Sequence, residues 1–372
     1  MTRLRIRVHH PLPVAVAAIA VAGLVGLLLA AAAGATVPET VEALSEGMFG
    51  SSYAIGVSLN TAAVLALVAA GFTVAHRAGL VNVGGEGQLC VGGIAATAVG
   101  TALGEDTPAP IAVTAVLLAA AGTGWSWAVI AAYLRVRRGT SEIITTLLLN
   151  FVGLALVLLM VHEPSLLRQP VTSSETLPQS APLIETAHLP LLGIERSPGT
   201  IALWIALVAA LIVGVVLRRT AVGARLRSVG LNPDASARLG LPVGQLRFLS
   251  LSCAGAFSGL AGGILVATAP FVLVEGFSSG YGFSGLVVGL LARGSMLAVG
   301  AVSLLLGFLV SGGINLQLAA GVPASTVSIV ESLMIILIAG AVLWTATGRR
   351  SRSAAATTAK THDVPDLAGA KQ

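Results

Sequence analysis

An acid and two amides stand among glycines in the stretch AGLVNVGGEGQLCVGG, residues 78–93, where Asn82, Glu86 and Gln88 interrupt an otherwise apolar run. Such side chains are costly at membrane depth unless they face water, a partner or a solute, so the cluster marks a candidate site. Three readings are open. The residues contact a solute along a pathway, they brace a broken helix beside that pathway, or they form an interhelical hydrogen-bond network worth only about 0.6 to 2 kcal/mol per contact. The first reading assigns Asn82, Glu86 and Gln88, together with Asn150 deep in a later apolar run, to a substrate pathway. Glu86 has the most to lose unpaired, and is expected to be neutral or beside a cation such as Arg293. Glu142 is expected at a membrane boundary in an ion pair with Arg137 or Arg138.

Catalytic chemistry finds no such cluster. The chain contains no HExxH or other His/Cys metal spacing, no GxSxG and no DDxxD, so no catalytic residue, metal ligand or cofactor is assigned. Gly84 to Gln88 resembles a phosphate loop only superficially. A Walker A loop needs a lysine to reach the phosphates, and the two lysines here are Lys360 and Lys371, near the C-terminus. If ATP drives any work of this chain, a separate subunit must bind the nucleotide and dock on it.

A docking surface is encoded at Arg218 to Arg247, RRTAVGARLRSVGLNPDASARLGLPVGQLR. After Gly230, Asn232 is a favoured N-cap and Pro233 suits the first helical position. Asp234 complements the positive helix start, Ala235 and Ser236 continue the turn, and Arg238 falls in the last turn. Gly240 is suited to the left-handed position that ends the helix. About two turns of helix result, too short to persist in water without packing against something.

These segments must be positioned by membrane helices. Of 372 residues, 55% are hydrophobic and only 10% charged, against roughly 25% charged in soluble domains. At about 20 apolar residues per crossing, the chain offers about ten spans. They fall near 13–33, 56–75, 86–104, 110–134, 142–161, 200–217, 248–270, 282–298, 300–318 and 325–346. The predicted class is an all-α polytopic transmembrane bundle, with broken helices possible near 82–93 and 276–300. Residues 1–12 form a cytoplasmic segment, 13–346 the transmembrane domain and 347–372 a disordered cytoplasmic tail. Gly255, Gly259 and Gly263 make a GxxxGxxxG face, which is expected to be scaffold. Gly84, Gly85, Gly87, Gly92 and Gly93 leave packing and a departure from the helix equally open.

Arginines orient the bundle, because basic residues accumulate in short cytoplasmic loops. Those near 3–7, 77, 135–138, 218–247 and 349–352 mark one side, predicted to be cytoplasmic with both termini. Acidic residues fill the opposite loops, including the long segment 162–199, which is read as external. Topology therefore accounts for the net charge of +5, and nucleic acid is not expected as a partner.

At these motifs a resemblance is plain. GLNPDASARLG resembles the cytoplasmic coupling segment of ABC importer permeases, with Asp234, Ala235, Ser236 and Gly240 following its acidic-small-small-xxx-Gly spacing. AGLVNVGGEGQLCVGG is similar to the Asn-Ile-Gly-x-Glu-Gly-Gln motif of permeases for branched-chain amino acids, simple sugars and nucleosides, most like the nucleoside and simple-sugar branch. SEIITTLLLNFVGLAL, with Glu142 and Asn150, resembles another segment of that family, as do AGAFSGLAGGILV and YGFSGLVVGLLARG. Ser141, Ala292, Gly294 and Met296 depart from the family pattern. The resemblance implies a multi-pass subunit of a bacterial plasma-membrane ABC importer, translocating nucleosides by alternating access. Simple sugars, branched-chain amino acids or, in another class, an ion-coupled secondary transporter are the alternatives. It also implies three partners besides the lipid bilayer: an ATP-binding subunit docked near Gly230 to Gly240, a second homologous permease or another copy of this chain, and an extracytoplasmic solute-binding lipoprotein.

Overall fold

The computed structural model describes residues 21, 24–170, 177–322, 329, 332 and 333, and among them no β-strand forms beyond isolated bridges. Residues 1–12, the span predicted at 325–346 apart from three positions, and the tail 347–372 lie outside the described residues, as does much of the first predicted span.

The chain divides into two compact units, residues 1–40 with 321–372, and residues 41–320. The described part of the first holds α1 (Leu24–Ala32). The second holds most of α2 (Val37–Phe49) and then α3 (Ser52–Arg77), α4 (Gly85–Ala102), α5 (Ala109–Arg138), α6 (Glu142–His162), α7 (Ala202–Arg219), α8 (Ala221–Leu231), α9 (Pro233–Arg238), α10 (Val243–Val266), α11 (Tyr281–Ala292) and α12 (Met296–Ala320). Six of these, α3, α5, α6, α7, α10 and α12, are long and apolar enough to cross a membrane. The sequence-based count of about ten spans is therefore not reproduced among the described residues. α4 is 18 residues long, but its glycines, Glu86 and Gln88 make it too polar to qualify by composition.

α3 is the central helix. Ser51 caps its start by accepting from the Ala54 N–H at 3.1 Å, and 18 of its residues are buried. α10 packs on it and on α5, and α4 packs on α10 and α5. The glycine face of α10 behaves as predicted: a Cβ on Gly255 or Gly259 would strike the α5 backbone at Gly124 or Ala120, and one on Gly263 would meet the Ala120 methyl. Gly262, on another side of α10, abuts Leu89 and Gly93 of α4. Backbones this close gain dispersion and exclude any side chain between them. α6 and α7 turn apolar residues such as Ile144, Leu148, Phe151, Leu207 and Leu211 outward, a surface suited to lipid or to another protein chain.

Two boundaries differ from the sequence-based expectation. The span predicted at 282–298 breaks after Ala292, because Arg293 and Gly294 take left-handed φ values of 48° and 78°, and α12 starts at Met296. The loop predicted at 218–247 is mostly helical. Thr220 accepts from the Gly223 N–H at 3.4 Å and starts α8, whose Ala, Leu and Arg content favours helix, before α9 begins.

Among its described residues, the segment from 163 to 199 is not helical apart from one turn at Glu185–Ala187. Backbone bonds pin it across the bundle end: Ser180 N–H to Leu273 O at 2.9 Å, Leu183 N–H to Phe271 O at 3.0 Å, Ile184 N–H to Gly100 O at 3.2 Å and Leu189 N–H to Ala267 O at 2.9 Å. His188 stacks on Phe271 with ring centroids 3.6 Å apart.

Candidate functional site

α3 ends in a turn through Ala78 and Gly79, whose φ of 75° suits glycine. Residues 80–84 are then non-helical until α4 opens at Gly85. Such a stretch leaves backbone groups without helical partners, and buried ones must be satisfied. The polar residues of the motif meet that need. Asn82 accepts from the Gly84 N–H at 3.0 Å and exchanges two amide hydrogen bonds with Gln88, at 2.9 and 3.2 Å.

α6 supplies the rest from one face. Glu142, Thr146 and Asn150 recur every four residues, so they line a single side of the helix. Asn150 donates to Val83 O and accepts from the Gly87 N–H, both at 2.9 Å. Thr146 accepts from the Val83 N–H at 3.3 Å, and Glu142 from the Val81 N–H at 3.5 Å. α6 thus clasps the non-helical segment along its length. Glu142 pairs with Arg135 at 3.1 Å, not with Arg137 or Arg138 as predicted. The left-handed cap at Gly139 reverses the chain, leaving Arg135 across from Glu142 and also within reach of Thr140 O at 3.2 Å.

Glu86 faces elsewhere. It is 2% exposed, and its carboxyl oxygens accept from the Gly280 and Gly282 N–H groups at 3.2 and 2.8 Å. These amides belong to the first turn of α11, where no intrahelical acceptor exists. Glu86 therefore caps a helix from nearly 200 residues away in sequence.

Four glycines of the motif each face a different neighbour. A Cβ at Gly85 would meet Gly282 O of α11 at 2.9 Å, and one at Gly87 would meet Asn150 Cα of α6 at 2.9 Å. A Cβ at Gly92 would strike Gly259 of α10, and one at Gly93 the Phe277 ring. The choice left open between packing and unwinding resolves by position: Gly92 and Gly93 pack inside an unbroken α4, whereas the irregular backbone lies just before it.

The second cluster follows its predicted local geometry. Asn232 accepts from the Ala235 N–H at 2.9 Å, Pro233 opens α9, and Gly240 has φ 78°. The Leu241 N–H bonds Ser236 O at 3.0 Å, closing the helix end. Asp234 and Arg238 lie in its first and last turns, Ala235 between them, and Ser236 is buried. Leu231 and Leu239, flanking α9, are 77% and 81% exposed. The two clusters meet at Gly230, which touches the Arg77–Gly79 turn backbone to backbone.

Three side chains escaped the sequence reading. Thr146 was findable from its spacing between Glu142 and Asn150. Asn60, buried in α3, donates to Pro198 O at 2.8 Å and accepts from Thr200 N–H and Oγ1–H, both at 2.9 Å. It ties α3 to the end of the 162–199 segment, and nothing local in the sequence indicates that distant partner. Arg77 donates to Gly294 O at 3.2 Å, equally invisible to spacing.

Residues 54–339 match the family described as "Branched-chain amino acid transport system / permease component". The chain belongs to that family. The permease is 32% identical over 317 residues to the guanosine ABC transporter permease protein NupP of Bacillus subtilis, covering 84% of this chain and 89% of that protein. It is 31% identical to the nucleoside ABC transporter permease protein NupB of Lactococcus lactis, covering 78% and 80%, and 34% identical to the glucose ABC transporter permease protein TsgB13 of Haloferax volcanii, covering 70% of each. No solved structure matches it. With its family and the six apolar helices among its described residues, this permease is a multi-pass membrane subunit of an ABC transporter, a transport component and not an ATPase.

Proposed function

We propose that this permease moves nucleosides inward across a bacterial plasma membrane by alternating access, driven by ATP hydrolysis on a separate subunit. Similarity along most of the chain to permeases named for guanosine and for nucleosides carries the choice of solute. A simple sugar is the second reading, favoured by the similarity to a glucose permease. For the docking of the ATP-binding subunit on Gly230 to Gly240, the support is a helix capped at both ends and flanked by Leu231 and Leu239, whose exposed apolar side chains gain by being covered. A second permease would cover the outward apolar faces of α6 or α7, and a solute-binding lipoprotein would deliver solute at the 162–199 side, with both termini of this chain in the cytoplasm.

Asn82, Glu86, Gln88 and Asn150 act, in this proposal, by bracing the 79–88 junction beside the pathway. The support is that their polar atoms are engaged with one another and with backbone groups of Val83, Gly84, Gly87, Gly280 and Gly282. A junction held by side chains can exist in two arrangements, and ATP shifts their populations only through differential affinity for them.

The test is uptake of labelled guanosine by cells with and without this subunit, competed by unlabelled nucleosides, glucose, ribose and leucine. Loss of uptake on deletion with competition by nucleosides alone is the expected result. Retained guanosine uptake with lost glucose or ribose uptake transfers the solute to the second reading, and uptake driven by an ion gradient without ATP overturns the mechanism.

A further inference from the structure

The geometry points to Arg77 as a positioning residue that links the coupling segment to the break between α11 and α12, an inference resting on the docking role proposed for Gly230 to Gly240. Arg77 is the last residue of α3, and three parts of the fold converge on it. Its own carbonyl and the following turn lie directly against Gly230, the penultimate residue of α8. A Cβ added at Gly230 would overlap Arg77 O and sit 3.0 Å from Gly79 N. No side chain cushions this contact, so a displacement of the α8 end pushes on backbone.

The Arg77 side chain reaches the second part. Its Nη2 donates to Gly294 O at 3.2 Å, and a Cβ at Gly294 would lie 3.1 Å from that nitrogen and 3.3 Å from Nε. The guanidinium therefore rests against the backbone where Arg293 and Gly294 adopt consecutive left-handed conformations and separate α11 from α12. Nε itself is buried with no hydrogen-bond partner among the described residues, so packing as well as bonding holds the group. The third part is the chain leaving Arg77, which enters the clasped segment 80–84 and then Glu86, the cap of α11. A movement delivered to the α8 end thus reaches both ends of α11: its start through the 80–86 segment and its finish through the guanidinium.

Fixed contacts between packed elements convert small shifts at one site into a change between discrete arrangements elsewhere. Arg77 supplies such a contact, because one residue carries both the backbone touched by Gly230 and the donor that holds Gly294. Coupling of this kind is read as a response at one site to a ligand bound at another.

The experiment uses the whole transporter, purified from its host membrane with the subunits that accompany it and placed in lipid nanodiscs. Hydrogen exchange is followed in peptides covering 233–241 and 291–297, with and without MgATP, in the wild type and in Arg77→Gln and Arg77→Lys. The wild type is expected to respond to MgATP in both peptides. In Arg77→Gln the 233–241 response persists, showing a folded and docked complex, while the 291–297 response falls about tenfold and guanosine transported per ATP hydrolysed falls with it. Arg77→Lys, which keeps a cationic donor, recovers part of that response. An undiminished 291–297 response in Arg77→Gln, or none in the wild type beside a responsive 233–241 peptide, overturns the role of Arg77 and leaves the docking proposal standing. A 233–241 peptide indifferent to MgATP in the wild type overturns the docking proposal, and this inference with it.

Discussion

Replacing Glu86 tests whether the acid of the motif is a brace or a group waiting for solute. In Glu86→Ala the Gly280 and Gly282 N–H groups lose their acceptor at a site where Glu86 itself is 2% exposed, so water has little access. Leaving a buried donor unsatisfied costs about 1–3 kcal/mol, so two donors lose about 2–6 kcal/mol, before any cavity term. Glu86→Gln keeps one carbonyl oxygen for one of the two amides and should lose about half as much. At about 1.4 kcal/mol per tenfold, local opening of the first turn of α11 rises roughly tenfold or more in Glu86→Gln, and further in Glu86→Ala. Hydrogen exchange at residues 280–284 in detergent or nanodiscs reads this directly, with no solute present. Guanosine uptake should follow the same ranking. Unchanged exchange at 280–284 in Glu86→Ala, combined with lost uptake, would refute the brace and move Glu86 to direct solute contact.

Glu142→Ala should be milder. Its pair with Arg135 is partly exposed and its bond to the Val81 N–H is long at 3.5 Å, so a loss of about 0–1 kcal/mol is expected, with uptake above that of Glu86→Ala. Exchanging Asp234 to Arg238 for a Gly/Ser linker should abolish ATP-dependent uptake while the protein still accumulates in the membrane, and normal uptake would remove α9 from the coupling path. Gly259→Leu should prevent accumulation of folded protein, because its side chain must enter the backbone contact with Ala120 and Gly124; a normal yield by gel filtration would contradict that packing.

What could be read from the sequence was local. Asn232, Pro233 and Gly240 specify a helix start and stop through their own backbone preferences, and α9 is bounded by them. The glycine spacing of α10 was legible for the same reason, since one helix face is set by residues three and four apart. Partners far away in sequence were not. Glu86, expected to be neutral or beside a cation such as Arg293, accepts from amides at the start of α11, and an amide donor has no signature in sequence. The observed partner of Glu142, Arg135, lies two and three residues before the expected Arg137 and Arg138, because which of them faces it depends on the turn at Gly139. A break was expected within 276–300, but its place was not legible: the left-handed pair at Arg293 and Gly294 ends the helix inside the span drawn at 282–298.

A single physical requirement joins the two motifs. The chain must leave α3, stay non-helical for about five residues inside the bundle and resume as α4, and buried backbone is tolerated there only if every group finds a partner. Asn82, Glu142, Thr146 and Asn150 provide such partners, Gln88 holds the Asn82 amide, and the glycines let α6, α10 and α11 approach closely. Side-chain bonds of this kind are individually weak and can exchange with little loss, unlike a continuous helical ladder. A non-helical joint is therefore the part of such a bundle most able to change shape, and the end of α8 touches the chain immediately before it. The placement of Gly230 on the Arg77–Gly79 turn joins the α8–α9 segment to the polar motif through a backbone contact with no room for a side chain.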